Sequence, residues 1–356
     1  MNKIKTIDEL RGLFLLDMAD LSDLDLQGTG NLFDGPMTWN DQANVVGAWT
    51  DRVIWPSANK LPDSFDPVAL LENAKAPTLD VAALHAKGIT GKNIGIAIID
   101  TMLNADHPDY KNRIKVNELI SGNYVPAPEY HGSLVVGNAA GKTTGTAPDA
   151  DVYFFSATSK KNADGKGWNQ TDKNKAIRRI LEINNNLPTG QKIRFLSCSF
   201  GDPNDELADE RHALFETAEQ NGIMVLGGFY KHTMQNSYHD TRYANTSDHF
   251  SDERLSMPTD GKTTPFYKGG FIFSRLGGMS STFPYLAGIF ALALQNNPEF
   301  AAQNGWQDRM MQIAKNTATK TKTRTIINPT AIVAEVDKQT KLLRLQYLHQ
   351  QQRRGG

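Results

Sequence analysis

Ile94-Gly95-Ile96-Ala97-Ile98-Ile99-Asp100-Thr101 decides the fold. The apolar run closes on a carboxylate and reads as a strand over 94–100 with Asp100 at its carboxyl end. Outward from it the pattern alternates. Residues 131–140 read as a helix, 151–155 as a strand, 170–186 as a helix, 193–198 as a strand, 205–221 as a helix and 222–228 as a strand. Helices follow over 281–295 and about 306–318. Apolar strands alternating with helices predict an α/β fold, a doubly wound, mostly parallel β-sheet flanked by helices. Such sheets bind ligands at the carboxyl ends of their strands. Asp100 and Ser199 fall at such ends.

Three short stretches carry chemistry. They are Ile98-Ile99-Asp100-Thr101, His131-Gly132-Ser133-Leu134-Val135-Val136-Gly137, and Gly278-Met279-Ser280-Ser281-Thr282-Phe283-Pro284-Tyr285-Leu286-Ala287-Gly288. A serine hydroxyl is a weak nucleophile at neutral pH and needs an imidazole to take its proton. The imidazole needs a carboxylate to fix its tautomer and stabilise its charged form. Ser280 precedes a largely apolar helical stretch, and a helix N-terminus favours developing negative charge. Pro284 fits the first turn of that helix. Taken singly, each residue has a plainer role: a turn or cap for Asp100, a loop for His131, a helix N-cap for Ser280.

Taken together, in the order Asp, His, Ser, the chain resembles a subtilisin-like (S8 family) serine peptidase. Asp106-His107-Pro108-Asp109, Gly145-Thr146-Ala147-Pro148, Ser197-Cys198-Ser199-Phe200-Gly201 and Ile327-Asn328-Pro329-Thr330-Ala331 resemble further stretches of that family, and the likeness runs from about residue 78 to 335. It implies a serine endopeptidase acting through an acyl-enzyme, with Asp100, His131 and Ser280 catalytic. Ser199, Phe200, Gly201, Gly227 and Gly228 would contact a protein or peptide substrate. No cofactor is implied. The family admits a structural calcium, but no motif for one stands here.

Two departures mark this chain. Met279 replaces the threonine usual before the serine. The run Gly222-Ile223-Met224-Val225-Leu226-Gly227-Gly228-Phe229-Tyr230-Lys231 lacks the asparagine that the family uses as oxyanion donor. Asn236, then Lys231 and His232, are the candidate substitutes. Losing one such donor costs about 2.7–4 kcal/mol, a figure that comes from subtilisin itself. Hence an alternative: a catalytically weak or inactive subtilisin-fold protein that binds peptides with an altered oxyanion hole. An esterase is disfavoured because Ser280 lacks a G-x-S-x-G elbow.

The 356 residues carry a net charge of −1, which builds no field for nucleic acid or an anionic membrane, so neither partner is expected. The single cysteine, Cys198, has no intrachain disulfide partner and reads as a buried small hydrophobe. No signal-peptide pattern opens the chain and no apolar run approaches a membrane span, so a cytoplasmic location is expected. Residues 1–77 lie outside the likeness, with Trp39, Trp49 and Trp55 among them, and read as an N-terminal extension, either a permanent wrap or propeptide-like. Asp17, Asp20, Asp23 and Asp25 read as a solvated acidic face. His232, His239 and His249, with Asp240, Asp248 and Asp252, fit no trusted metal-ligand spacing. Pro258-Thr259-Asp260-Gly261 reads as a turn, and 336–356 as a C-terminal helix and tail.

Overall fold

The computed structural model describes residues 1–13, 15–29, 47–63, 65–120, 127–157, 160–161, 168–200, 207–227, 230–231, 236–239, 254–275, 278–322 and 324–354. Two short strands, β1 (Leu15–Leu16) and β2 (Ala48–Thr50), precede the main sheet. That sheet is built from β3 (Gly95–Asp100), β4 (Ile114–Leu119), β5 (Asp151–Ser156), β6 (Ile193–Cys198) and β7 (Met224–Gly227). Its order is β7-β6-β3-β5-β4, and every pair is parallel. The register sets Ile98 between Phe154 and Ser197.

All six residues of β3 are buried, which explains its unbroken apolar run: both faces are covered. Ile96 and Ile98, with Phe154 and Phe195, pack beneath α1 (Tyr130–Ala140) and a later helix that begins at Thr282. Ala97 and Ile99, with Tyr153, Phe155 and Leu196, face α2 (Thr171–Asn186) and α3 (Ala208–Gln220). Truncating one of these large side chains to alanine costs about 2–5 kcal/mol. The expected doubly wound α/β sheet is therefore present, with helices on both faces.

The chain continues through β8 (Asn236–His239), β9 (Leu255–Asp260), β10 (Lys262–Pro265) and β11 (Phe271–Ser274), then α4 (Thr282–Leu294), α5 (Trp306–Thr317) and α6 (Pro329–Arg354). The turn expected over 258–261 is a correction: Pro258 and Asp260 belong to β9, and Gly261, at φ +62°, alone makes the break into β10. Pro258 survives in a strand because the β8–β9 pairing shifts register beside it, at a bulge where no ladder N–H is needed. The helix expected near the C-terminus begins at Pro329, so the boundary drawn at 335 falls inside it.

Residues 1–77 contribute a core of their own. Leu10, Leu16, Leu21, Leu26, Trp49 and Phe65 gather there with Phe273 of β11. Strands β2 and β1 also extend the β10–β11 hairpin into a four-stranded sheet of order β10-β11-β2-β1. Among the described residues, no helix is long and apolar enough to cross a membrane.

Candidate active site

The carboxyl end of β3 delivers Asp100 into a dry position, its side chain only 3% exposed. Its Oδ1 accepts the Thr101 N–H at 2.7 Å and the Thr101 hydroxyl at 3.3 Å. The same oxygen lies 2.7 Å from His131 Nδ1. An acceptor at that place means that Nδ1 carries the hydrogen and Nε2 is left as the basic nitrogen.

His131 stands in the first turn of α1. Gly132 is required beside it: a Cβ there would overlap the Thr101 carbonyl oxygen, so only glycine lets the helix close onto the loop after Asp100. The Gly132 N–H donates to Thr101 Oγ1 at 3.2 Å, which ties helix to loop a second time. Burial of the His131 ring opposes its charge. The hydrogen bond and the charge of Asp100, with the charge of Glu129, outweigh that burial, and the pKa is raised above the ordinary imidazole value.

Ser280 lies in a short turn, Met279–Ser281, that runs directly into α4. This turn packs against α1. Ser199, just beyond β6, donates its hydroxyl to the Ser280 carbonyl at 2.7 Å, and Thr282 donates to the Met279 carbonyl at 2.7 Å. The Gly278 N–H donates to Asp260 Oδ1 at 3.2 Å. Met279, the residue in the threonine's place, is 40% exposed. All of α4, Pro284 included, is buried, which holds the turn on a rigid base.

The remaining candidates divide. Ser199, Phe200 and Gly227 stand together at the carboxyl ends of β6 and β7. Gly227, at φ +98°, is pressed against the Cys198 carbonyl and the Phe283 ring, where a Cβ would not fit. Lys231 points elsewhere. After Gly227 the chain turns back, with the Tyr230 N–H donating to the Gly227 carbonyl at 3.2 Å. The Tyr230 ring sits 5.3 Å from Phe215 on the α3 side of the sheet, and the Lys231 ammonium lies 4.0 Å from Glu219 of that helix. The backbone of Asn236 belongs to β8, which runs beside the Met279–Ser281 turn. Gly201, Gly228, His232 and the side chain of Asn236 lie outside the described residues, as do Asp240, His249, Asp248 and Asp252 of the polar cluster. Cys198 is fully buried and burial pushes its thiol up, away from nucleophilic character.

Glu129 and Thr101 escaped the sequence reading. Thr101 stands inside the first motif and braces both Asp100 and Gly132. Glu129 precedes His131 by two residues, and its acidity was the only signal available. The four aspartates of the N-terminal segment have separate partners: Asp17 meets Arg52 and Lys268, Asp20 accepts from Ser22, Asp23 pairs with Lys3, and Asp25 accepts the Gln27 N–H. Among the described residues, no group of three or more His, Cys, Asp or Glu is disposed to hold a metal ion.

Comparison with known proteins points the same way as the geometry. The sequence model of the Subtilase family matches residues 91–239. The Major intracellular serine protease of Bacillus subtilis (strain 168) is 28% identical over 199 residues, 52% of this chain and 54% of that protein; the chain thus matches about half the length of this relative. Subtilisin BL of Lederbergia lenta is 25% identical over 256 residues, 67% of this chain and 87% of that one. Among solved structures, Sphericase superposes with a TM-score of 0.51 at 20% identity, covering 69% of this chain and 92% of that one. The prenylagaramide maturation protease PagA gives 0.52 at 15% identity, covering 72% and 98%. These two likenesses concern the fold. Over residues 91–239 the chain is similar to the Subtilase family, and it shares the fold of these two solved structures.

Proposed function

We propose that the protein is a serine endopeptidase that hydrolyses peptide bonds through Ser280, His131 and Asp100. The observation that carries the reading is the 2.7 Å contact between His131 Nδ1 and Asp100 Oδ1, with the turn bearing Ser280 packed against the helix that bears His131. In this mechanism Ser280 Oγ attacks the substrate carbonyl while His131 Nε2 takes its proton. Asp100 stabilises the imidazolium that forms. The proton then passes to the leaving amine, the acyl group stays on Ser280, and a water activated by the same imidazole releases it.

Negative charge on the carbonyl oxygen needs donors. The Ser280 N–H is one, at the head of a thirteen-residue helix whose dipole favours an anion. Asn236 is proposed as the second, because β8 runs beside the serine turn. Lys231 and His232 rank behind it; the Lys231 ammonium is engaged by Glu219. Ser199, Phe200 and Gly201, with Gly227 and Gly228, are proposed to frame the peptide.

A fluorophosphonate probe tests the reading. The wild type is expected to label, and Ser280→Ala to remain folded and unlabelled. A mutant that labels like wild type overturns the assignment. A wild type that does not label favours the weakly active or inactive peptide-binding alternative.

A further inference from the structure

We propose that residues 1–77 are retained in the active enzyme as part of its catalytic unit, and that Tyr130 is the positioning residue through which strand β2 holds His131. This rests on the triad reading above. The first turn of α1 carries His131, and its N-cap residue Glu129 makes no side-chain cap; the turn is held to the loop after Asp100 by the Gly132 N–H to Thr101 Oγ1 at 3.2 Å and the Glu129 N–H to the Met102 carbonyl at 2.7 Å. First turns without an N-cap side chain are prone to fray. Tyr130 adds a restraint from the opposite side. Its ring packs on Ala48 of β2, Ile272 of β11 and Phe266, and its phenol is hydrogen-bonded to the Ser274 side chain. Burial pushes that phenol up to about 12, so it remains neutral across the working range.

The N-terminal segment contributes Ala48 to the surface that receives Tyr130 and pairs with the strand that carries the rest of it. Strand β2 pairs antiparallel with β11 in the register Ser274 to Ala48, Phe273 to Trp49 and Ile272 to Thr50. The Arg275 N–H continues the ladder to the Gly47 carbonyl at 3.0 Å. Asp51 accepts the Phe271 N–H at 2.9 Å. Trp49, fully buried, lies 4.5 Å from the Phe273 ring. Further along the segment, the Leu71 and Ala76 carbonyls accept from the side chains of Thr263 and Lys262 in β10, each at 2.7 Å. Strand β11 then leads within a few residues to Gly278 and Ser280. One strand of the N-terminal segment therefore braces the approach to the nucleophile and, through Tyr130, the base.

Tyr130→Phe keeps the ring packing and removes only the bond to Ser274. It is expected to lower kcat five- to tenfold with KM little changed and the melting temperature within about 2 °C of wild type. Ser274→Ala should give the same loss, and the double variant no more than either single one, because both remove one interaction. Mass analysis of the probe-labelled wild-type chain should find residues 1–77 still attached. Singles with wild-type kcat, or a fully active labelled species that begins after residue 77, overturn the proposal. Failure of the wild type to label overturns the triad reading and this inference with it. Labelling of wild type and both variants at equal rates overturns the inference alone.

Discussion

Asp100→Asn separates two consequences that an asparagine can have at this position. Asp100 Oδ1 serves two donors at once, the Thr101 N–H at 2.7 Å and His131 Nδ1 at 2.7 Å. Turning the new NH2 group toward them would set donor against donor and leave the Thr101 amide unsatisfied, at about 1–3 kcal/mol. The amide oxygen therefore stays where Oδ1 is, and Nδ1 of His131 keeps its hydrogen. What is lost is charge. A hydrogen bond to a charged group contributes about 1.5–3 kcal/mol and a neutral one about 0.5–1.5 kcal/mol. The difference of about 1–2 kcal/mol corresponds to about a 5- to 30-fold fall in kcat/KM. Even doubled by the low dielectric of the site, the loss stays below about a thousandfold. The variant should also titrate lower, because Asp100 helps to raise the His131 pKa. Steady-state hydrolysis of a peptide substrate between pH 5 and 9 reads both effects. A loss near ten thousandfold in a folded variant, the size expected when the imidazole is forced into the wrong tautomer, would refute the argument from Thr101.

Glu129→Gln removes one charge that raises the His131 pKa. Catalysis needs the neutral imidazole, so the acid limb of the activity profile should move to lower pH, and high salt should erase the difference. Gly132→Ala should abolish probe labelling and lower stability by about 1–3 kcal/mol in denaturant melts, because its methyl group meets the Thr101 carbonyl. Iodoacetamide should leave native protein unmodified and fully active, then label Cys198 once the chain is unfolded; native alkylation with loss of activity would contradict its burial. Asn236→Ala should lower kcat about a hundredfold with KM little changed, and wild-type kcat would remove it as oxyanion donor.

The parts of this molecule that sequence alone made legible are those where one local constraint dominates. β3 reads as a strand because both of its faces are buried, so every position must be apolar until the carboxylate that ends it. His131-Gly132 reads as a pair because the helix must touch the loop after Asp100 at the next residue. Pro284 reads as a helix start because the first turn tolerates a missing N–H. The N-terminal sheet was illegible for the opposite reason. β2 is three residues long, too short for any period, and its partner β11 lies more than 200 residues further along the chain. Only the pairing makes it a strand. Pro258 misled in a similar way, since a proline inside a strand depends on a bulge, here the extra residue of β9 in its pairing with β8.

The oxyanion side of the site shows how far such reasoning extends. Lys231 follows the right strand at nearly the right distance, which is all that a sequence can weigh. Its direction is set by two facts of packing. Gly227 adopts φ +98°, and its carbonyl accepts the Tyr230 N–H at 3.2 Å. Tyr230 then buries its ring against Phe215, and Glu219, itself held by the Val225 N–H at 3.0 Å, draws the ammonium to the α3 face. Returning that ammonium to the serine side would require withdrawing Tyr230 from an apolar contact and separating the charge from Glu219, both against the gradient of burial. The strand β8, which carries Asn236, borders the Met279–Ser281 turn, and this contact is the ground on which Asn236 is proposed as the donor ahead of Lys231.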